Sequence, residues 1–218
     1  MSEKSVVLLS SGLDSTVNFW LEAQKGRAVL ALTFDYGQRA APREIERARA
    51  IAELAGVRHQ SLDLKWFRDF TRTSLVSAQM QVPTGADVQI DDFAQSTETA
   101  KSVWVPNRNG IFLSIAAAFA EGLGAKVIVP GFNLEEATTF PDNTQAYMES
   151  VTASLRFSTA NQVRVECATV GMHKTEIVEL GRQIKAPFHL MWPCYLGEAQ
   201  ACGECESCQR FKRAGGWK

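Results

Sequence analysis

Apolar positions along the chain fall into two rhythms. Short continuous runs such as Ser5–Leu9 and Ala28–Phe34 alternate with longer stretches in which apolar residues recur three and four places apart. A run of four to eight apolar residues between turn formers reads as a strand buried on both faces, and the 3.6-residue period reads as a helix. The first run breaks at Ser10-Ser11-Gly12 and a helix follows to Lys25, where Gly26 stops it. The second ends at Asp35-Tyr36-Gly37, and after Pro42 a helix of mixed charge extends to Ala55 with Gly56 behind it. Arg58–Leu64 predicts a third strand. Asn109–Glu121 is the most apolar helix, closed by Gly122 and Gly124, and Lys126–Val129 predicts a strand ending at Pro130-Gly131. A helix between Asn143 and Ala160, a strand over Val163–Ala168 and a helix over His173–Ile184 complete the series. Lys65–Lys101, rich in Ser, Thr, Gln and Asp, keeps no period and reads as an insertion that could act as a mobile lid.

Strands alternating with helices imply right-handed crossovers and a parallel sheet. The expected fold class is therefore α/β, a Rossmann-like parallel sheet of about five strands with flanking helices over residues 1–186, carrying a cysteine-rich segment over 187–218. Ligands of such sheets sit at the carboxyl ends of the strands.

Composition narrows the function. The 218 residues carry 23 Lys and Arg against 24 Asp and Glu, a formal charge of −1, so no global charge points to nucleic acid or an anionic membrane. No stretch approaches the roughly 20 apolar residues of a membrane span, and Val6–Leu9 is too short for a signal segment. A cytoplasmic protein is expected. Four of the five cysteines, Cys194, Cys202, Cys205 and Cys208, cluster near the end of the chain. Four thiolates at this spacing can close a tetrahedral Zn²⁺ site of structural type, with an iron–sulfur cluster the competing occupant. Cys167 stands apart and reads as a buried core thiol.

Four further motifs carry candidate chemistry. Ser10-Ser11-Gly12-Leu13-Asp14-Ser15-Thr16 follows the first strand and opens its helix, where small residues, backbone N–H groups and hydroxyls make a cradle for phosphate. A capped helix start is the plainer reading. It is no Walker A loop, for it has no lysine. Thr33-Phe34-Asp35-Tyr36-Gly37-Gln38-Arg39 ends the second strand, where Asp35, Gln38 or Arg39 could meet a ligand or simply form a polar turn. In Val105-Pro106-Asn107-Arg108-Asn109, Asn109 is a fair helix cap and Arg108 is left to face an anion or stack on a base. Lys174, in the first turn of the last core helix, opposes the helix dipole unless an anion lies beside it, although a surface lysine is common there.

Ser-x-Gly-x-Asp-Ser after the first strand resembles the phosphate loop of the N-type ATP pyrophosphatases, with Ser11 in place of their first glycine. A serine can donate its backbone N–H there if its φ is negative. SSGLDST, FDYGQR, VPNRNGIFLSIAAAFAE, HKTEIVELG and CYLGEAQACGECESCQR resemble, in order, the landmarks of the 7-cyano-7-deazaguanine synthase family over nearly the whole chain. The resemblance implies conversion of 7-carboxy-7-deazaguanine and ammonia to the nitrile, with ATP cleaved to AMP and pyrophosphate. It implies ATP and Mg²⁺ held by Leu9, Ser10, Ser11, Gly12, Leu13, Asp14, Ser15, Thr16, Asp35, Gln38 and Lys174. Asp14, Ser15, Lys174 and Arg108 are the implied catalytic set, and the implied assembly is a homodimer. The family's Tyr-Pro-Asp-Cys-Arg appears here as Phe140-Pro141-Asp142-Asn143-Thr144, and Val170-Gly171 replaces a Pro-Leu pair. A relative that adenylates another carboxylate, or that thiolates tRNA, is the alternative.

Overall fold

The computed structural model describes residues 3–77, 79–90 and 100–217. Five strands, β1 (Ser5–Leu8), β2 (Ala28–Asp35), β3 (His59–Asp63), β4 (Val127–Val129) and β5 (Arg164–Val165), form one sheet in the order β3-β2-β1-β4-β5. Every pairing is parallel. Helices α1 (Leu13–Gln24), α2 (Ala41–Leu54), α3 (Arg108–Gly122), α4 (Leu134–Ala137), α5 (Gln145–Ser158), α6 (Lys174–Gln183) and α7 (Glu206–Arg213) surround it.

The central strands are apolar at nearly every position, Ser5, Thr33 and Asp35 excepted, because both faces are covered. Val6, Leu30, Leu32 and Ile128 pack on one face with Leu113, Ala116 and Ala120 of α3 and with Met148 and Leu155 of α5. Val7, Ala31, Val127 and Val129 pack on the other with Phe19 of α1 and Ala48, Ile51 and Ala52 of α2. Strand order reverses at β1, between β2 and β4, so the loops leaving these strands part there and open a crevice at their carboxyl ends.

Two elements depart from expectation. The fifth strand pairs over two residues rather than Val163–Ala168, because β4 offers only three residues before Pro130, and beyond Val165 the chain turns to α1, where the Ala168 N–H donates to Asn18 Oδ1 at 2.9 Å. Asn109 does not cap α3. Asn107 does so, in the left-handed region at φ 50°, without a side-chain hydrogen bond, and Asn109 lies inside the first turn.

Of the 65–101 insertion, residues 78 and 91–99 lie outside the described residues. Its remainder is tied down at several points. Ser74 N–H donates to Ser102 O at 3.0 Å, Thr84 bridges to Cys205, and Gly85 N–H donates to Glu204 O at 3.1 Å. Among the described residues no helix is long and apolar enough to cross a membrane.

Candidate active site

The chain leaves β1 into a loop whose hydroxyls bind one another. Ser15 Oγ lies 3.0 Å from Ser10 Oγ, receives the Ser10 N–H at 3.2 Å and donates to Gly12 O at 3.2 Å. Gly12 caps α1 in extended geometry with no side-chain hydrogen bond, so the first-turn N–H groups keep their free direction toward the crevice. Gly131 lets the end of β4 approach closely, since a Cβ there would stand 2.5 Å from Ser15 N.

Ser11 corrects one expectation. Its φ is +63°, not negative, which explains why a glycine suits this place. Its carbonyl accepts from Trp192 N–H at 2.9 Å and its hydroxyl is buried without a partner. Ser11→Gly therefore forfeits no hydrogen bond and removes strain, partly offset by the flexibility of the unfolded glycine. The expected gain is up to about 1 kcal/mol, about 2–4 °C in Tm by calorimetry, with turnover retained.

The lysine that opposes its helix dipole has its anions within the protein. Lys174 is buried and its Nζ lies 3.0 Å from Asp14 Oδ2 and 2.8 Å from Glu136 Oε1. Burial alone would lower its pKa, but the two carboxylates outweigh burial and hold it above the ordinary value. Burial pushes Asp14 up despite the ammonium, whereas Lys174 holds the otherwise desolvated Glu136 down. Asn133 Nδ2 also donates to Asp14 Oδ2, at 3.1 Å, and Asp14 Oδ1 is buried with no partner.

These groups line a crevice of about 260 Å³ that takes in Leu9, Ser10, Gly12, Leu13, Asp14, Ser15, Gln38, Arg108 and Lys174. Four other candidates lie outside it. Ser11 and Thr16 are buried, Asp35 turns away to accept from Gly37 N–H at 3.0 Å and to pair with Lys65 at 3.2 Å, and Arg39 donates to Ser77 O at 2.6 Å. Away from the phosphate loop the wall is aromatic. Phe34 and Phe112 stack at 4.1 Å, Tyr36 lies 5.6 Å from Phe112, and the Arg108 guanidinium sits 5.7 Å from the Tyr36 ring centre.

Sequence reasoning missed Glu44, Glu136, Tyr36 and Arg210, which line the same crevice. For Glu136 a signal existed. Asn133-x-x-Glu136 is a helix-start signature, and Asn133 Oδ1 indeed accepts from Glu136 N–H at 2.9 Å. Glu44 sits in the first turn of α2, where burial pushes its carboxyl up to about 7, with Asp35 adding to the rise and Gln38 and Arg108 opposing it. Between pH 4.5, the ordinary value, and about 7 the folded state holds this proton and the unfolded chain does not, so stability falls as pH rises through that window. The loss is on the order of 3 kcal/mol. Denaturant titrations of Glu44→Gln at pH 5 and pH 8 are expected to lack this part of the slope.

The four tail cysteines converge. Their sulfurs all lie within 4.8 Å of one another, with Cys194 to Cys202 at 3.5 Å and Cys202 to Cys208 at 4.0 Å. A tetrahedron with Zn–S bonds of about 2.3 Å has edges of about 3.8 Å, so the donor set fits such an ion. Hydrogen bonds from Cys205 and Cys208 hold the Cys194 thiol low, a proton-sharing arrangement that a cation would replace. Leu196 and Cys202 N–H donate to Cys194 Sγ, and Cys205 N–H to Cys202 Sγ.

This metal-type segment also reaches the lysine. Arg210 of α7 donates to Glu135 Oε2 at 3.2 Å, and Glu135 Oε1 accepts the Lys174 backbone N–H at 2.9 Å.

The family model for queuosine biosynthesis protein QueC matches residues 4–218. The chain belongs to the QueC family. The QueC relatives include a 7-cyano-7-deazaguanine synthase of Bdellovibrio bacteriovorus, 55% identical over 98% of this chain and 93% of that protein. Another, from Desulforamulus reducens, is 47% identical over 96% of this chain and 92% of its own length. Among solved structures, NMN synthetase from Francisella tularensis matches with a TM-score of 0.50 at 17% identity, covering 93% of this chain and 71% of that one. A 4-thiouridine synthetase solved with RNA and bound ATP matches at 0.50 and 18%, over 92% of this chain and 44% of that one. These two likenesses place the QueC chain in their shared fold.

Proposed function

We propose that the chain makes 7-cyano-7-deazaguanine from 7-carboxy-7-deazaguanine, ammonia and ATP. Membership of the QueC family supports the substrate, and one observation supports the chemistry: a phosphate-type loop and a buried lysine share a single crevice with an aromatic wall and an arginine. A carboxylate is a poor electrophile because its leaving group is oxide. Attack of its oxygen on the α-phosphorus of ATP expels pyrophosphate and leaves an acyl adenylate, from which ammonia displaces AMP to give the amide. The amide oxygen then attacks a second ATP, and loss of AMP and a proton leaves the nitrile.

In this reading the α1 N–H groups with Ser10 and Ser15 hold the departing pyrophosphate, and Lys174 neutralises it. Arg108 faces the substrate carboxylate from the aromatic wall. Asp14, with its unpartnered Oδ1, and Glu136 are the carboxylates that would hold Mg²⁺, which supplies charge neutralisation on the phosphates when bound. Zn²⁺ in the four-thiolate site would fix the tail without taking part in bond making. The tRNA-thiolating alternative needs a free sulfur near ATP: Cys194 lines the crevice but belongs to the four-thiolate cluster, and Cys167 does not line it, bonding Phe132 O and Thr169 with its thiol pushed up by burial.

Incubation with ATP, Mg²⁺, ammonium and 7-carboxy-7-deazaguanine, followed by mass spectrometry, tests the reading. Nitrile with AMP and pyrophosphate is the expected result. AMP without nitrile would move the substrate to another carboxylate.

A further inference from the structure

Glu44 is a cavity-lining carboxylate to which the reaction above gives no task. Among the described residues it makes no ion pair, although Arg108 lies near enough to act on it electrostatically. Its one side-chain partner is neutral: Gln38 Nε2 donates to Glu44 Oε2 at 2.7 Å. Gln38 cannot turn its amide over, because the same Nε2 donates to Phe34 O at 2.9 Å and its Oε1 accepts from Tyr36 N–H at 3.0 Å. The carboxylate is thus held in one orientation from below, while Oε1 has no hydrogen-bond partner among the described residues. A half-buried, cavity-lining carboxylate with four lone-pair directions and one protein donor has room for more, and a ligand that brings N–H groups into the crevice would complete it.

The surroundings narrow that ligand. Gln38 ties Glu44 to Phe34 and Tyr36 of the aromatic wall, so a flat heterocycle fits beside it, and its carboxylate would repel a phosphate. Adenine presents a single exocyclic donor between ring acceptors, which a carboxylate would repel. A 2-amino-4-oxo pyrimidine edge presents a ring N–H and an amino N–H side by side, matching two carboxylate oxygens.

We propose that Glu44, oriented by Gln38, forms a subsite that reads the ring N–H and 2-amino group of a guanine-type base, and so sets the enzyme's choice of carboxylate. The inference rests on the preceding functional reading. Two donors bound to Glu44 would favour its ionised form and draw off the proton that burial otherwise favours.

The test compares 7-carboxy-7-deazaguanine with its analogue lacking the 2-amino group, in the wild-type protein and in Glu44→Gln. Steady-state kinetics are run for each base and for ATP, with calorimetric titration of each base in parallel. The wild type is expected to favour the amino-bearing base by at least about 10²-fold in kcat/KM, because the bound analogue covers the Glu44 carboxylate and leaves one acceptor unpaired. Glu44→Gln should reduce that preference to a few-fold, through KM for the base, while KM for ATP and the melting temperature at pH 7 stay close to wild type or, for the latter, rise. Equal use of both bases by the wild type would overturn the proposal. So would a Glu44→Gln protein that keeps the preference, or a defect confined to ATP or to ammonium dependence. If the wild type turns over neither base, the functional reading fails by itself, and the titrations still decide the subsite: discrimination in binding that Glu44→Gln abolishes upholds it, and its absence overturns it.

Discussion

Lys174→Met is expected to lower AMP formation about 10³-fold, measured by coupled assay at saturating ATP. Removing one preorganised charge from a phosphoryl-transfer site typically costs between 10² and 10⁵ in rate, and here the ammonium stands at the mouth of a loop that has no lysine of its own. The substitution also strands Asp14, a buried carboxylate, at a cost of roughly 3 kcal/mol after allowance for proton uptake. Glu136, about one-third exposed, loses less. The stability and rate effects can be separated. In an assay run well below the variant's melting temperature the rate loss should persist in fully folded Lys174→Met protein, whereas a purely structural lysine would leave the folded variant turning over at the wild-type rate.

Cys208→Ser is expected to empty the four-thiolate site and to lower Tm by about 6–12 °C, corresponding to at least about 3 kcal/mol, with the metal content read by elemental analysis. Around the cysteines themselves the buried apolar backing is small, Ala40, Val82 and Trp192, while Phe211 of α7 packs on Leu13, Val17 and Ile177. Turnover should fall with the metal. Trp192 N–H holds the Ser11 carbonyl and Arg210 holds Glu135 against the start of α6, so a loosened tail releases the phosphate loop and the lysine together. Retention of full activity in metal-free protein would break this linkage.

The parts of the molecule that were legible in the sequence are those encoded locally. Apolar runs closed by Ser, Gly or Asp marked β1, β2 and their helices, and the parallel sheet follows from the alternation. Lys174 was legible by its misfit, because a cation in a helix's first turn demands an anion, and the fold supplies Asp14 from α1 and Glu136 from α4. Glu44 and Arg210 were not legible. Each is an ordinary charged residue on an amphipathic helix until the fold carries it to the crevice; Glu206, four residues before Arg210, pairs with it, but nothing near it in sequence points to Glu135. The misassigned cap of α3 has a similar origin. Asn107 and Asn109 are equally good caps by residue type, and only the left-handed backbone at Asn107 distinguishes them.

The central claim is that the crevice adenylates the oxygen atoms of a carboxylate, one after the other. The most direct test uses 7-carboxy-7-deazaguanine labelled with ¹⁸O in both carboxylate oxygens, with ATP, Mg²⁺ and ammonium in ordinary water, and weighs the AMP formed. Two molecules of AMP per nitrile, each carrying one ¹⁸O, are predicted, because each oxygen leaves as part of an AMP phosphate. AMP without label would show that water, not the carboxylate, attacks the α-phosphorus, and would contradict the account.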